Sequence, residues 1–192
     1  MNLPNKLTIL RIILTVVFLF FLFAHSLMFK VFAFFTFIVA AFTDFLDGRI
    51  ARKYDLISDF GRFMDPIADK ILILSAFLAL VEMGLVPAWM VVIIIARECV
   101  ITGLRIAALR KQKLIEASLT GKHKTAFQLF TIIIILAFII FKEIGHRLEF
   151  WTSNFQYYYE MSIFCLMLVT VFLTIVSGIS IFLRNKEVLY EK

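Results

Sequence analysis

Only two cysteines, three prolines and seven glycines occur in 192 residues, and aspartate is missing outside a single stretch. The cysteines, Cys99 and Cys165, lie in apolar segments without metal-type spacing and read as small apolar fillers. No repeat, low-complexity segment or second domain is visible, so residues 1–192 read as one domain. A cleaved leader is not expected. Lys6 and Arg11 precede the apolar Ile12–Ala24, but Phe23, Ala24, His25 and Ser26 fit a small-x-small cleavage site poorly. Charge is scarce too, at 18% against 62% hydrophobic residues with 23 Phe, and the mean hydropathy is +0.96. These values exclude an ordinary soluble domain. The net charge of +6 would suggest nucleic acid in a soluble protein. Here the basic residues flank apolar runs, so anionic lipid or phosphate is the expected partner, with no nucleic acid.

What is present is a series of apolar segments that predicts an all-α, polytopic membrane protein. Met1–Thr8 reads as a short surface segment, and the first helix runs on to about Ala24. The second starts near Phe29, but its apolar part, Val31–Phe42, is 12 residues. That covers roughly 18 Å of a hydrocarbon core about 30 Å thick. Continuing to Arg52 supplies the missing length and carries Asp44 and Asp47 to membrane or interface depth. The third helix mirrors it: Ile71–Val81 spans only if the helix begins near Phe60, taking in Asp65 and Asp69. A fourth follows Gly84 and Pro87 to about Arg110, with Arg97, Glu98 and Arg105 inside it. After the basic link Lys111–Lys124, punctuated by Gly121, come a fifth helix over Thr125–Phe141 and a loop over Lys142–Tyr157. A sixth covers about Met161–Leu183. Six transmembrane helices place both termini on one side. Of 20 Lys and Arg, only Lys30, Lys142 and Arg147 fall in the connections on the other, leaving 17. The positive-inside rule then puts the termini and the aspartates in the cytoplasm, at the inner membrane if the source is a bacterium.

All six aspartates (44, 47, 55, 59, 65 and 69) fall within 26 residues. Ionisable groups at membrane depth are costly and point to function. On a helix Asp44 and Asp47 lie about 60° apart, and Asp65 and Asp69 about 40°, so each pair shares a face. Four converging carboxylates repel and raise one another's pKa. Hard divalent cations relieve this, and two ions of Mg²⁺ or Mn²⁺ can share bridging carboxylates. Without His or Cys in the cluster, zinc is not expected. Gly48, Ala51 and Gly61 keep the helix walls flat, while Arg49, Arg52, Lys53 and Arg62 add positive charge at the rim. Pro66 kinks or starts a helix beside Asp65. Carboxylates for metal, flat walls and arginines together describe a pyrophosphate site. Asp55 and Asp59, in the expected turn, read instead as salt-bridge partners of neighbouring arginines.

The pattern Asp44-x-x-Asp47-Gly48-x-x-Ala51-Arg52, eight residues, Gly61, three residues, Asp65, three residues, Asp69 resembles the signature of the CDP-alcohol phosphatidyltransferases at all eight fixed positions. LPNKLTILRI, GRFMDPIADKIL, IARECVITGLRIAAL and GKHKTAFQ resemble the phosphatidylglycerophosphate synthase branch of that family. The resemblance implies a six-helix membrane fold, usually homodimeric, with two metal ions near the cytoplasmic interface. It implies transfer of the phosphatidyl group of CDP-diacylglycerol to an alcohol with release of CMP. Asp44, Asp47 and Asp65 would ligate metal, and Asp69 would help bind the second ion and act as general base. Gly48, Ala51, Arg52 and Gly61 would form the cytidine-diphosphate pocket. With sn-glycerol 3-phosphate as acceptor, the product is phosphatidylglycerophosphate. Candidates for the acceptor's phosphate are Arg97, Arg105, Lys122 and Lys124.

Each of these has a competing reading. Arg97 can instead pair with Glu98 or another helix, and Lys122, His123 and Lys124 can be a basic membrane flank. Phosphatidylglycerol, inositol or serine are other acceptors for the same chemistry. A cation or proton transporter also uses intramembrane aspartates, but spreads them across several helices near the midplane.

Overall fold

The computed structural model describes the backbone of residues 3–54, 59–110 and 119–184, and the side chains of 6–43, 67, 68, 70–104 and 124–183. Every element is an α-helix: α1 (Leu3–Phe23), α2 (Leu27–Tyr54), α3 (Asp59–Glu82), α4 (Ala88–Arg110), α5 (Leu119–Arg147) and α6 (Ser153–Arg184). They close into a ring. α1 lies between α2 and α3, α2 packs on α5, α5 on α6, α6 on α4, and α4 returns to α3.

Periodicity explains which faces meet. In α1 the fully buried residues Thr8, Arg11, Thr15, Phe18 and Leu22 recur every three or four positions, one stripe of a helix. Ala33, Phe37 and Ala40 form the matching stripe on α2, and Leu72, Ala76, Ala79 and Leu80 the one on α3. The alanines let the helix backbones approach closely. Outside the stripes, Val16, Phe20, Phe35, Val92 and Phe172 are largely exposed. An apolar exterior on helices of this length marks an integral membrane protein. Among the described residues, three helices are long and apolar enough to cross a bilayer: Lys6–Phe23, Lys124–Arg147 and Ser153–Leu183. Leu27–Thr43 is a shorter apolar helix.

The termini of the helices have visible causes. The Lys30 ammonium donates to the Leu22 carbonyl, satisfying an acceptor at the end of α1. α3 ends where the Leu85 N–H reaches back to the Leu80 carbonyl at 3.0 Å, with Gly84 in the left-handed region at φ 68°.

Five helix boundaries differ from those expected. α1 runs unbroken from Leu3, so there is no separate surface segment through Thr8. Pro4 falls in the first turn, where a missing N–H costs nothing, and Thr8 is already fully buried. Asp59 opens α3 and is not part of a turn. α5 starts at Leu119 and takes in Gly121 and Lys142–Arg147, and α6 already begins at Ser153. The expected loop therefore shrinks to residues 148–152. Hydropathy marks where a helix leaves hydrocarbon, whereas the backbone ladder continues through polar residues that form helix well.

Trp151 fills this short turn. Its ring meets Phe141 at 5.9 Å, His146 at 5.5 Å and Tyr159 at 5.6 Å, and its indole N–H donates to Gln156 Oε1 at 3.0 Å. The far end of the α5–α6 pair is an aromatic cluster of the kind found at membrane interfaces.

Candidate functional site

The aspartate positions continue the inner stripes. On α2, steps of four and three residues from Phe37 and Ala40 lead to positions 44, 47 and 51. On α3, the same steps backward from Leu72 lead to 68 or 69 and then 65, and Ala68 is fully buried. Helical periodicity thus carries the buried stripes of α2 and α3 through these backbone positions. The side chains of Asp44, Asp47, Gly48, Ala51, Arg52, Asp59, Gly61, Asp65 and Asp69 lie outside the described residues, and Asp55 lies outside them altogether. Among the described residues no group of three His, Cys, Asp or Glu gathers.

Helix register brings a cation to the same depth. Phe18 and Phe37 stack across α1 and α2 with centroids 5.3 Å apart, and Phe21 and Phe32 pair one turn outward at 5.6 Å. Seven residues inward from the first pair lie Arg11 on α1 and position 44 on α2. Arg11 is fully buried on the face that packs against both acidic helices. Thr15 donates back to the Arg11 carbonyl at 2.8 Å, and on α2 Thr43 donates to the Ala40 carbonyl at 2.6 Å. In the sequence Arg11 is visible only as a charge flanking the first apolar run.

Across the ring, α4, α5 and α6 share a polar seam. Lys124, Gln128 and Thr131 occupy one stripe of α5; Thr170, Thr174 and Ser177 occupy one stripe of α6. The helices run antiparallel, so the stripes pair in reverse order. Thr131 and Thr170 hydroxyls lie 2.9 Å apart, and Gln128 Nε2 donates to Thr174 Oγ1 at 3.4 Å. Thr170 and Thr174 also donate to the carbonyls of Leu166 and Thr170, at 2.9 and 2.7 Å. Farther along the same interface the residues become Ile135, Ile139, Ile163 and Met167, a dry continuation of the seam. The seam therefore lies in the same half of the bundle as the acidic ends of α2 and α3.

Its charged terminus joins three helices through one carboxylate. Glu98 Oε1 accepts from Arg97 Nη1 at 2.9 Å and from the Lys124 ammonium. Arg97 Nη2 donates to Ser177 Oγ of α6 at 2.8 Å. One turn on, Thr102 donates to the Glu98 carbonyl at 2.7 Å and accepts from Lys70, the residue after Asp69 on α3. The Lys124 side chain is only 3% exposed. An ammonium so buried requires a partner such as this carboxylate.

Of the four residues expected to hold an acceptor phosphate, the fold thus brings Arg97 and Lys124 together on Glu98. The side chains of Arg105 and Lys122, like that of His123, lie outside the described residues. In the sequence Glu98 is visible only as a partner of Arg97, and Ser177 and Lys70 do not stand out. The four- and three-residue spacing of polar groups on both α5 and α6 is the sequence signal that marks the seam.

A family model for CDP-alcohol phosphatidyltransferase matches residues 1–182. The chain is 36% identical, over 98% of its length and 97% of the relative's, to a CDP-diacylglycerol–glycerol-3-phosphate 3-phosphatidyltransferase of Bacillus subtilis. It is 35% identical to a protein of the same description from Rickettsia felis, covering 97% of this chain and 96% of that one. A probable phosphatidylglycerophosphate synthase of Mycobacterium tuberculosis is 45% identical over 66% of this chain and 62% of its own. With the acidic positions on the inner stripes of adjacent helices and a match along nearly the whole sequence, the chain belongs to the CDP-alcohol phosphatidyltransferase family.

Proposed function

We propose that this protein transfers the phosphatidyl group of CDP-diacylglycerol to sn-glycerol 3-phosphate, forming phosphatidylglycerophosphate and CMP. The observation that carries the reading is the full-length similarity to relatives of that description, combined with all eight signature positions between 44 and 69. The transporter alternative draws no support from the arrangement, because the aspartate positions group at one end of two neighbouring helices.

In this proposal the acceptor hydroxyl attacks the lipid-side phosphorus. A new oxygen–phosphorus bond forms as the bond to the CMP phosphate oxygen breaks. Asp69 takes the hydroxyl proton, and CMP departs with the bridging oxygen. Asp44, Asp47, Asp65 and Asp69 offer an all-oxygen donor set, which suits Mg²⁺ or Mn²⁺. Two such ions, when bound, supply charge stabilisation to the phosphoryl oxygens. Gly48, Ala51, Arg52 and Gly61 border the cytidine diphosphate, and Arg97, Arg105, Lys122 and Lys124 draw in the acceptor's phosphate. The donor's acyl chains require the site to open toward lipid, consistent with the apolar exterior of the ring. Six spans, a cytoplasmic site with both termini on that side, and a homodimer complete the proposal.

Purified protein in lipid vesicles should release CMP from CDP-diacylglycerol only with glycerol 3-phosphate and a divalent cation present. Chelation should stop release, and Asp69→Asn should reduce it by at least about a thousandfold while metal still binds, the upper reach of lost proton transfer combined with lost ligand charge. Release that survives chelation contradicts the metal assignment. Near-normal rates in Asp69→Asn remove that residue as base.

A further inference from the structure

Glu98 stands where three helices meet and belongs to none of the residues expected to touch substrate. Its single Oε1 receives both Arg97 from its own helix and Lys124 from α5. That oxygen lies between the two cations and fixes their separation. Arg97 is fixed from a second direction by Ser177 Oγ. A third constraint is steric: a Cβ built on Gly178 would come within 3.2 Å of Arg97 Cγ, so the α6 backbone closes against the arginine stem. Through the Glu98 carbonyl, Thr102 and Lys70, the same turn of α4 is tied to α3 at the residue following Asp69.

We propose that Glu98 is a positioning residue for the acceptor. It presets Arg97 and Lys124 relative to one another and, through Thr102 and Lys70, relative to α3. This rests on the reading that Arg97 and Lys124 take the acceptor's phosphate. A guanidinium and an ammonium held together suit a phosphorylated alcohol better than a neutral one. Geometry, in turn, decides how much of that attraction becomes productive binding, because the phosphate anchors the hydroxyl that must reach phosphorus. Ser177 and Gly178 act with Glu98: one holds the guanidinium and the other leaves room for its stem.

The test is steady-state kinetics of the full chain in vesicles, with glycerol 3-phosphate and CDP-diacylglycerol varied independently, alongside thermal unfolding. Glu98→Gln keeps the side-chain size and one accepting oxygen but removes the charge. It should raise the KM for glycerol 3-phosphate at least tenfold and leave the KM for CDP-diacylglycerol within twofold. Gly178→Ala displaces the Arg97 stem without altering any charge and should shift the acceptor KM severalfold in the same direction. A purely structural brace would lower Tm and the active fraction while leaving both KM values in place. That pattern in Glu98→Gln, with Arg97→Gln still raising the acceptor KM, overturns the positioning role and leaves the proposed function standing. A lowered acceptor KM in Glu98→Gln also overturns it, because the carboxylate would then be a competitor of the phosphate. Glycerol 3-phosphate KM unmoved by Arg97→Gln and Lys124→Gln, or no turnover of that acceptor by the parent, contradicts the underlying reading and the proposal with it.

Discussion

Complete burial of Arg11 in α1 commits the molecule to an anion nearby, since a guanidinium does not deprotonate in a protein. The two helices packed on α1 carry only the aspartates and, at the opposite end, Glu82. Register sets Arg11 at the depth of position 44. Arg11→Met should therefore lower stability by ~3–5 kcal/mol, the cost of breaking a buried pair. Thermal unfolding in detergent checks this, and an unchanged Tm contradicts it. At this scale the sequence displays some features and hides others. The aspartates stand out because no other part of the chain has any and their spacing is that of helix faces. Arg11 does not stand out: it looks like any basic residue near the start of an apolar run. Glu98 is visible as a neighbour of Arg97, but its bond to Lys124 joins residues 26 positions apart, which only the folded ring brings together.

Among the elements, α5 and α6 show how one antiparallel interface can be polar in one half and dry in the other. Thr131 and Thr170 form the last polar pair before the isoleucines begin. Thr170 commits its proton to the Leu166 carbonyl, so Thr131 is the donor between them. Thr131→Val and Thr170→Val should each cost about 1 kcal/mol. The double variant should cost less than their sum by on the order of 0.6 kcal/mol, the usual coupling of such pairs between membrane helices. Unfolding measurements on the four proteins give the coupling directly, and strict additivity would deny the bond. The order of six helices is legible from apolar runs and turns, and α2, α3 and α4 begin and end close to where span arithmetic put them. α5 is not, because its first turns and its last two are polar. Hydropathy reports the lipid contact of a segment, while helix formation follows its backbone and propensity.

For the molecule as a whole, the ring order α1–α2–α5–α6–α4–α3 decides what faces what. It sets the acidic ends of α2 and α3 on one side of the interior and the Lys124–Ser177 seam on the other, in the same half of the bundle. That the chemistry gathers in one half is readable from the sequence, since the aspartates and most basic residues fall at alternate helix ends. Which helices are neighbours is not, because several arrangements satisfy short connections equally well. A phosphatidyl transfer to a charged alcohol fits this division, with the aspartate positions on one side and Arg97 and Lys124 on the other. The decisive measurement is the identity of the lipid formed when vesicles with the purified protein receive CDP-diacylglycerol and one acceptor at a time: glycerol 3-phosphate, inositol, serine or phosphatidylglycerol. Phosphatidylglycerophosphate, formed with glycerol 3-phosphate and matched one to one by CMP, is the predicted result. A phosphatidyl product from one of the other acceptors, with none from glycerol 3-phosphate, would contradict it.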